Sequence, residues 1–256
     1  MRASRYSRRM ELSLSVLSIG LLVLVWQALV YLHVYRFAYI PSLPQVVESA
    51  KDYVFSSDFV SDAIASAIRV FVAWIIAAVV AIPLGLAIGW SKTFSDLSLP
   101  TLELLRPIPP IAWIPAGILF FPNIEGSVVF ICFIGAFFPI LLNTINGVTQ
   151  IEQTYFRAAR CLGAGQREVF RDVVVRGAMP SIVVGLALGM GIAWMALVAA
   201  EMIAGQYGLG YMIWRAYSLA QYPLIIVGMV AIGLIGAGMS VCIRLLGRKL
   251  TPWQNR

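Results

Sequence analysis

The sequence predicts an all-α integral membrane protein, a polytopic bundle of about six transmembrane helices in one membrane domain covering 1–256. Three observations predict it. Hydrophobic residues make up 60% of the chain and charged residues 12%, where a soluble domain carries about 25% charge. The apolar residues fall in runs long enough to cross a bilayer, which needs about 20 residues per helix. Lys and Arg are also unevenly placed. The N-terminus 1–11, a link at 91–106, a loop at 150–178 and the C-terminal end hold 15 of the 19. That bias puts both termini and the central loop on the cytoplasmic side.

Each span follows from the pattern. Arg2, Arg5, Arg8 and Arg9 precede an apolar run from Leu12 to about Tyr35. The run is too long for a signal-peptide core and lacks an A-x-A cleavage site, so a retained first span is expected. An extracytoplasmic connection follows at 36–58, with an amphipathic piece from Val46 to Phe55. The second span is expected at Ile64 to Trp90, then a polar link from Ser91 to Pro100 and a third span from Leu102 to Phe121. Pro107, Pro109 and Pro110 open that third span. Proline removes donors that lipid cannot replace, so the cluster reads either as an irregular entry facing the bundle interior or, at Pro107, as a simple helix start. Spans four, five and six are expected at Ser127–Val148, Met179–Ala204 and Pro223–Leu246. Glycines at three- or four-residue spacing in the last two suit close helix packing.

Several functions are excluded. A net charge of +7 invites nucleic acid, but the cations flank apolar spans and form no basic, aromatic-interleaved face. Cys132, Cys161 and Cys242 have neither metal-ligand nor redox spacing, and His33 lacks a catalytic or metal partner. There is no G-x-x-x-x-G-K-[ST], H-E-x-x-H, C-x-x-C or G-x-S-x-G. No catalytic residue, metal site or cofactor site is therefore expected on this chain. Any energy for transport must enter from a partner, through a cytoplasmic surface.

The stretch from Tyr155 to Pro180 is the candidate surface. It is polar and Arg-rich, yet Ile151, Tyr155, Ala159 and Leu162, then Val169, Phe170, Val173 and Val174, keep helical spacing. Leu162-Gly163-Ala164-Gly165 interrupts the pattern. Gly163 suits a helix stop with positive φ, and Gly165 an N-cap. Two short amphipathic helices around a tight turn are expected. A basic cytoplasmic loop without further role fits the same residues.

This stretch resembles the EAA loop of ABC-importer permeases. Ala158, Ala159 and Gly163 match, Val173 takes the apolar position, and Ala178-Met179-Pro180 keeps the ending. Arg157 replaces the Glu of the motif, and Val175-Arg176 replaces its first Leu-Pro. Leu105 to Pro115, Ala200-Glu201-Met202-Ile203, Gly208 to Ile213 and Ile40 to Pro44 are likewise similar to the nitrate/sulfonate/taurine branch. The resemblance implies a type I ABC importer permease of the bacterial inner membrane. It implies a homodimer carrying two ABC ATPase subunits, which bind ATP and Mg, and a periplasmic or lipid-anchored substrate-binding protein. Tyr155, Phe156, Arg157, Ala158, Ala159, Leu162, Gly163, Ala164, Gly165 and Phe170 would form the coupling surface. The cargo would be a sulfonate, nitrate or related oxyanion.

Ionisable groups within spans are candidates by default. Glu201 reads either as an outer gate or as a carboxylate bonded to loop amides, and Arg69 and Arg106 as interfacial side chains reaching for water. Pro107, Pro109, Pro110, Trp113, Trp194 and Glu201 are the candidates for a translocation path or gate. The rival functions are an ion-coupled secondary transporter, which needs buried coupling sites, and a membrane scaffold. The topology is checked by single cysteines in a background lacking the three native ones. Thiols at 45 and 124 should react with an impermeant reagent in intact cells, whereas one at 165 should not.

Overall fold

The computed structural model describes residues 8–32 and 40–251. Arg2, Arg5, His33, the end of the expected first span with Arg36, and the tail after Thr251 lie outside the described residues. All regular structure among the described residues is helical.

Helix α1 (Arg8–Tyr31) is followed by α2 (Leu43–Val54), the expected amphipathic piece. The Gln45 side chain accepts from the Ser42 backbone N–H at 2.9 Å and closes the first turn of α2. Helix α3 (Ser57–Trp90) starts seven residues before the expected Ile64, because the Ser56 hydroxyl caps it by accepting from Phe59 N–H at 3.2 Å. At 34 residues it is about 51 Å long, well beyond a ~30 Å hydrocarbon layer.

The region from Ser91 to Phe121 corrects the sequence reading. The expected polar link is helical, as α4 (Lys92–Leu105) begins directly at a Ser91 cap. The expected third span is not one helix. It breaks after Leu105, passes through a 3-10 turn (Pro110–Trp113) and resumes as the short α5 (Ile114–Phe120). Prolines at 107, 109 and 110 each remove a backbone donor, and Pro110 forces the residue before it out of the helical region, so the α-helix breaks here. Pro109 itself is extended, with ψ 144°.

Helix α6 (Ile124–Thr149) is capped by the Asn123 side chain, which accepts from Gly126 N–H at 2.9 Å. After α7 (Gln153–Cys161) the chain enters α8, a single 39-residue helix from Gln166 to Ala204. The second short helix expected in the loop is therefore the start of the following span. A π-helical stretch, Val169–Val175, joins the two parts. Its i→i+5 bonding stacks residues five apart, which lets Val169 and Val174 both enter the core. Helix α9 (Leu209–Ser218), not expected from sequence, and α10 (Tyr222–Leu250) complete the described chain.

Four helices, α3, α6, α8 and α10, are long and apolar enough to cross a membrane by length and composition. Two shorter apolar helices, Gly20–Tyr31 and Pro110–Phe120, stand where the first and third spans were expected. Helix α6 lies at the centre, packed against both α3 and α8. The α6–α8 approach is close: a Cβ on Gly189 would stand 2.9 Å from Ile140 Cγ1 and 3.0 Å from the Ala136 carbonyl. Trp74 on α3 donates its indole N–H to the Leu186 carbonyl on α8 at 2.9 Å. Not every glycine packs in this way, since a Cβ on Gly191 would meet nothing within 4 Å.

Paired substitutions check this packing. Gly189→Val should destabilise the protein by about 1–3 kcal/mol through overpacking, while Gly191→Val, with the same intrinsic helix cost, should leave the fold near wild type. Thermal unfolding in detergent reads the difference.

Candidate functional site

The turn at 162–165 is built from local backbone chemistry. Helix α7 ends in a Schellman arrangement: Gly163 N–H donates to the Arg160 carbonyl and Ala164 N–H to the Ala159 carbonyl, both at 3.0 Å. The turn requires Gly163 at φ +83°, the positive value expected from sequence. The backbone then extends at Gly165, whose N–H donates to the Glu168 carboxylate at 2.8 Å, and α8 begins.

Side chains divide this hairpin into a docked face and a free face. Phe156 on α7 and Phe170 on α8 meet Trp90 at the inner end of α3, with ring centroids 6.1 and 5.8 Å away. These rings join the small inner core of Val148, Val174, Ala178 and Ile182. On the free face Leu162 is 88% exposed and Tyr155 62% exposed. Arg157 and Ala158 are exposed, while Ala159 and Ala164 are half-buried. Arg157 forms no ion pair among the described residues.

At the end of the bundle away from this turn, the structure assembles a charge network that the sequence reading missed. Arg69 is buried at 3% exposure and Glu201 at 0%. Arg69 Nη1 donates to Glu201 Oε1 at 2.6 Å and to the Tyr207 carbonyl at 2.9 Å. Its Nε and Nη2 grip the Glu125 carboxylate, and its guanidinium lies 4.3 Å from the Tyr207 ring centroid. Glu201 also accepts from Gly210 N–H and the Ser66 hydroxyl, each at 2.8 Å. Arg69 is thus not an interfacial side chain reaching for water, because a guanidinium with two carboxylate partners in reach is held inside. The signal was in the sequence: a cation and an anion within apolar spans are each costly unless paired. Gly208 closes the network with φ +112°, where a Cβ would collide with the Glu201 carboxylate, and its N–H donates to Asp62 at 2.7 Å. Asp62 accepts in turn from the Tyr53 hydroxyl, and burial together with that carboxylate pushes the Tyr53 phenol above its ordinary pKa.

The six path or gate candidates fall in four places. Pro109 and Pro110 line an open cleft beside α6, with Pro107 exposed nearby. Trp113 is half-buried, edge-on to Phe130 at 6.4 Å. Trp194 is buried where α8 passes Gly236 of α10, and Glu201 belongs to the outer network. No cluster of three or more His, Cys, Asp or Glu that could hold a metal occurs among the described residues.

Residues 81–256 match the family of binding-protein-dependent transport system inner membrane components. The chain belongs to that family. It is 46% identical over 175 residues to a putative ABC transporter permease protein of Methanocaldococcus jannaschii, covering 68% of this chain and 66% of that one. It is 36% identical to the taurine transport system permease protein of Escherichia coli, covering 68% and 63%. A putative aliphatic sulfonates transport permease protein of Bacillus subtilis is 30% identical over 236 residues, covering 92% and 86%. The chain thus spans slightly under two thirds of the first two relatives. A solved structure of the MetNI methionine ABC transporter in inward-facing conformations shares the fold. Its TM-score is 0.62 at 17% identity, over 75% of this chain and 96% of that one. The chain is thus similar to ABC transporter permeases, among them ones named for taurine and aliphatic sulfonate transport.

The outer network sets a stability prediction for this permease-family chain. Arg69→Ala leaves Glu201 buried without its counter-ion, at a cost of about 3–5 kcal/mol. Glu201→Gln should cost less, because Arg69 keeps Glu125 and an amide oxygen still accepts from Gly210. Melting temperatures in detergent should rank wild type above Glu201→Gln above Arg69→Ala.

Proposed function

We propose that this chain is the membrane-spanning permease subunit of an ATP-driven importer for a small oxyanion, a sulfonate, nitrate or similar solute. It works as a homodimer in the bacterial inner membrane, with both termini cytoplasmic. Two ABC ATPase subunits bind ATP and Mg below it, and a periplasmic or lipid-anchored substrate-binding protein delivers the solute above. Family membership and the names of the taurine and sulfonate relatives support this reading.

The observation that carries it is the cytoplasmic hairpin. Leu162 is exposed at its tip and Tyr155 about two turns back near the start of α7, two apolar side chains on a polar helix, while Phe156 and Phe170 fasten the hairpin to Trp90. A hairpin that is free on one side and fastened on the other suits a surface that receives force. When the ATPases close on ATP, a push on α7 passes through the rings to α3 and through the short turn to α8. Those two helices flank α6, so their rigid displacement would alternate access to a path between them and the second copy.

The buried carboxylates argue against ion-coupled transport. Glu201 is the one buried acid among the described residues, and it is fully engaged with Arg69, Ser66 and Gly210. A coupling site needs a carboxylate that can exchange its proton or cation.

Gly163 tests the proposal. A Cβ there would meet nothing within 4 Å, so strain from φ +83° is the entire cost of a substitution. Gly163→Val should cost about 1–3 kcal/mol at the turn and leave membrane insertion intact. Uptake should collapse, and the ATPases should dissociate or stop responding to the loaded binding protein. Arg157→Ala, which removes one exposed charge, should cost under about 1 kcal/mol and preserve most uptake. Wild-type uptake by a well-expressed Gly163→Val protein would leave the hairpin as a plain basic loop.

A further inference from the structure

Beside α6 lies an open cleft of about 390 Å³. It runs from Ile134, near the middle of that helix, to Asn146, one turn before its inner end. Twelve residues at ~1.5 Å each make it about 18 Å long, more than half of a ~30 Å hydrocarbon layer. Pro109 forms part of its wall because the proline break keeps α4 and α5 from closing over α6.

Arg106 is the one ionisable residue lining this cleft, and no carboxylate lines it. It takes part in none of the ion pairs among the described residues, in contrast to Arg69. Two amides line the cleft with it. Asn143 spends one N–H on the Pro139 carbonyl at 2.8 Å, which leaves its second N–H free. Asn146 is exposed, and its side-chain amide makes no hydrogen bond among the described residues. A guanidinium without a carboxylate partner in a membrane cleft is favourable only where water or an anion meets it. The lining therefore offers amide N–H donors and one fixed positive charge with no carboxylate, which suits an oxyanion better than a cation, although the amide oxygens can also accept.

We infer that this cleft is the inner half of the translocation path and that Arg106 is its charge-selecting residue, assisted by the amides of Asn143 and Asn146. The inference rests on the permease reading above and names the solute class at the level of this chain. The outer network cannot make the selection, because Arg69 is already held by Glu125 and Glu201.

The test uses the full chain in nanodiscs, with Cys132, Cys161 and Cys242 replaced and a reporter thiol introduced by Asn146→Cys or, one turn deeper, by Leu142→Cys. Two thiol reagents of similar size are compared, one ending in a sulfonate and one in a trimethylammonium group. With Arg106 present the sulfonate reagent should react preferentially at both positions, and Arg106→Gln should lower the sulfonate-to-ammonium rate ratio roughly tenfold. Arg106→Lys should restore most of the ratio. A ratio unchanged by Arg106→Gln, or a thiol unreactive to both reagents in a monodisperse protein, overturns the inference. The measurement needs no partner protein, so its failure is distinct from failure of the coupling reading, which uptake by Gly163→Val reports.

Discussion

Arg69 and Glu201 form the contact on which the outer half of this protein depends. Neither charge is tolerable alone among apolar helices, and together they still leave donors and acceptors that must be met. Four groups meet them. Ser66 comes from α3, Glu125 from the first turn of α6, the Tyr207 carbonyl from the segment linking α8 to α9, and the Gly210 N–H from the first turn of α9. Satisfying one buried ion pair therefore fixes the relative positions of three long helices and one connection. Such a network is all or none in character, because a half-satisfied buried polar cluster costs more than an apolar one.

The inner half is organised differently. Its helices meet through apolar rings and glycines, and two features interrupt regular helix there: the proline break between α4 and α5 and the π-helical stretch inside α8. Apolar contacts are non-directional and tolerate small displacements that hydrogen-bonded ion pairs do not. A braced outer end and an adjustable inner end give the subunit a natural direction for motion.

The cleft beside α6 shows how one local rule reaches long-range consequences. Proline at 107, 109 and 110 forbids a continuous third span. The break leaves α5 only seven residues long and leaves the side of α6 from Ile134 to Asn146 uncovered. Arg106, at the end of α4, then stands beside that uncovered face.

The sequence by itself determined much of this protein. Composition and Lys/Arg placement specify a membrane bundle and its expected orientation, because transfer into lipid depends on residue type and not on partners. The turn at Gly163 was legible because positive φ is a local property of glycine; an irregularity at Pro107, Pro109 and Pro110 was legible because a missing N–H is local too, but not that it divides the expected span into separate helices. The continuity of α8 was not legible. Gly165 and the change of hydrophobic phase suggested a separate helix, while the π-helical stretch that reconciles the two phases arises from packing Val169 and Val174 into one core. Only the tertiary structure decided the fate of Arg69, Glu201 and Arg106. Their neighbours lie 56 to 138 residues away in the case of Arg69, and whether a charge is paired, bare or solvated depends on which helices stand beside it. Residue type sets what a charge requires, and only the packing of distant segments sets whether that requirement is met.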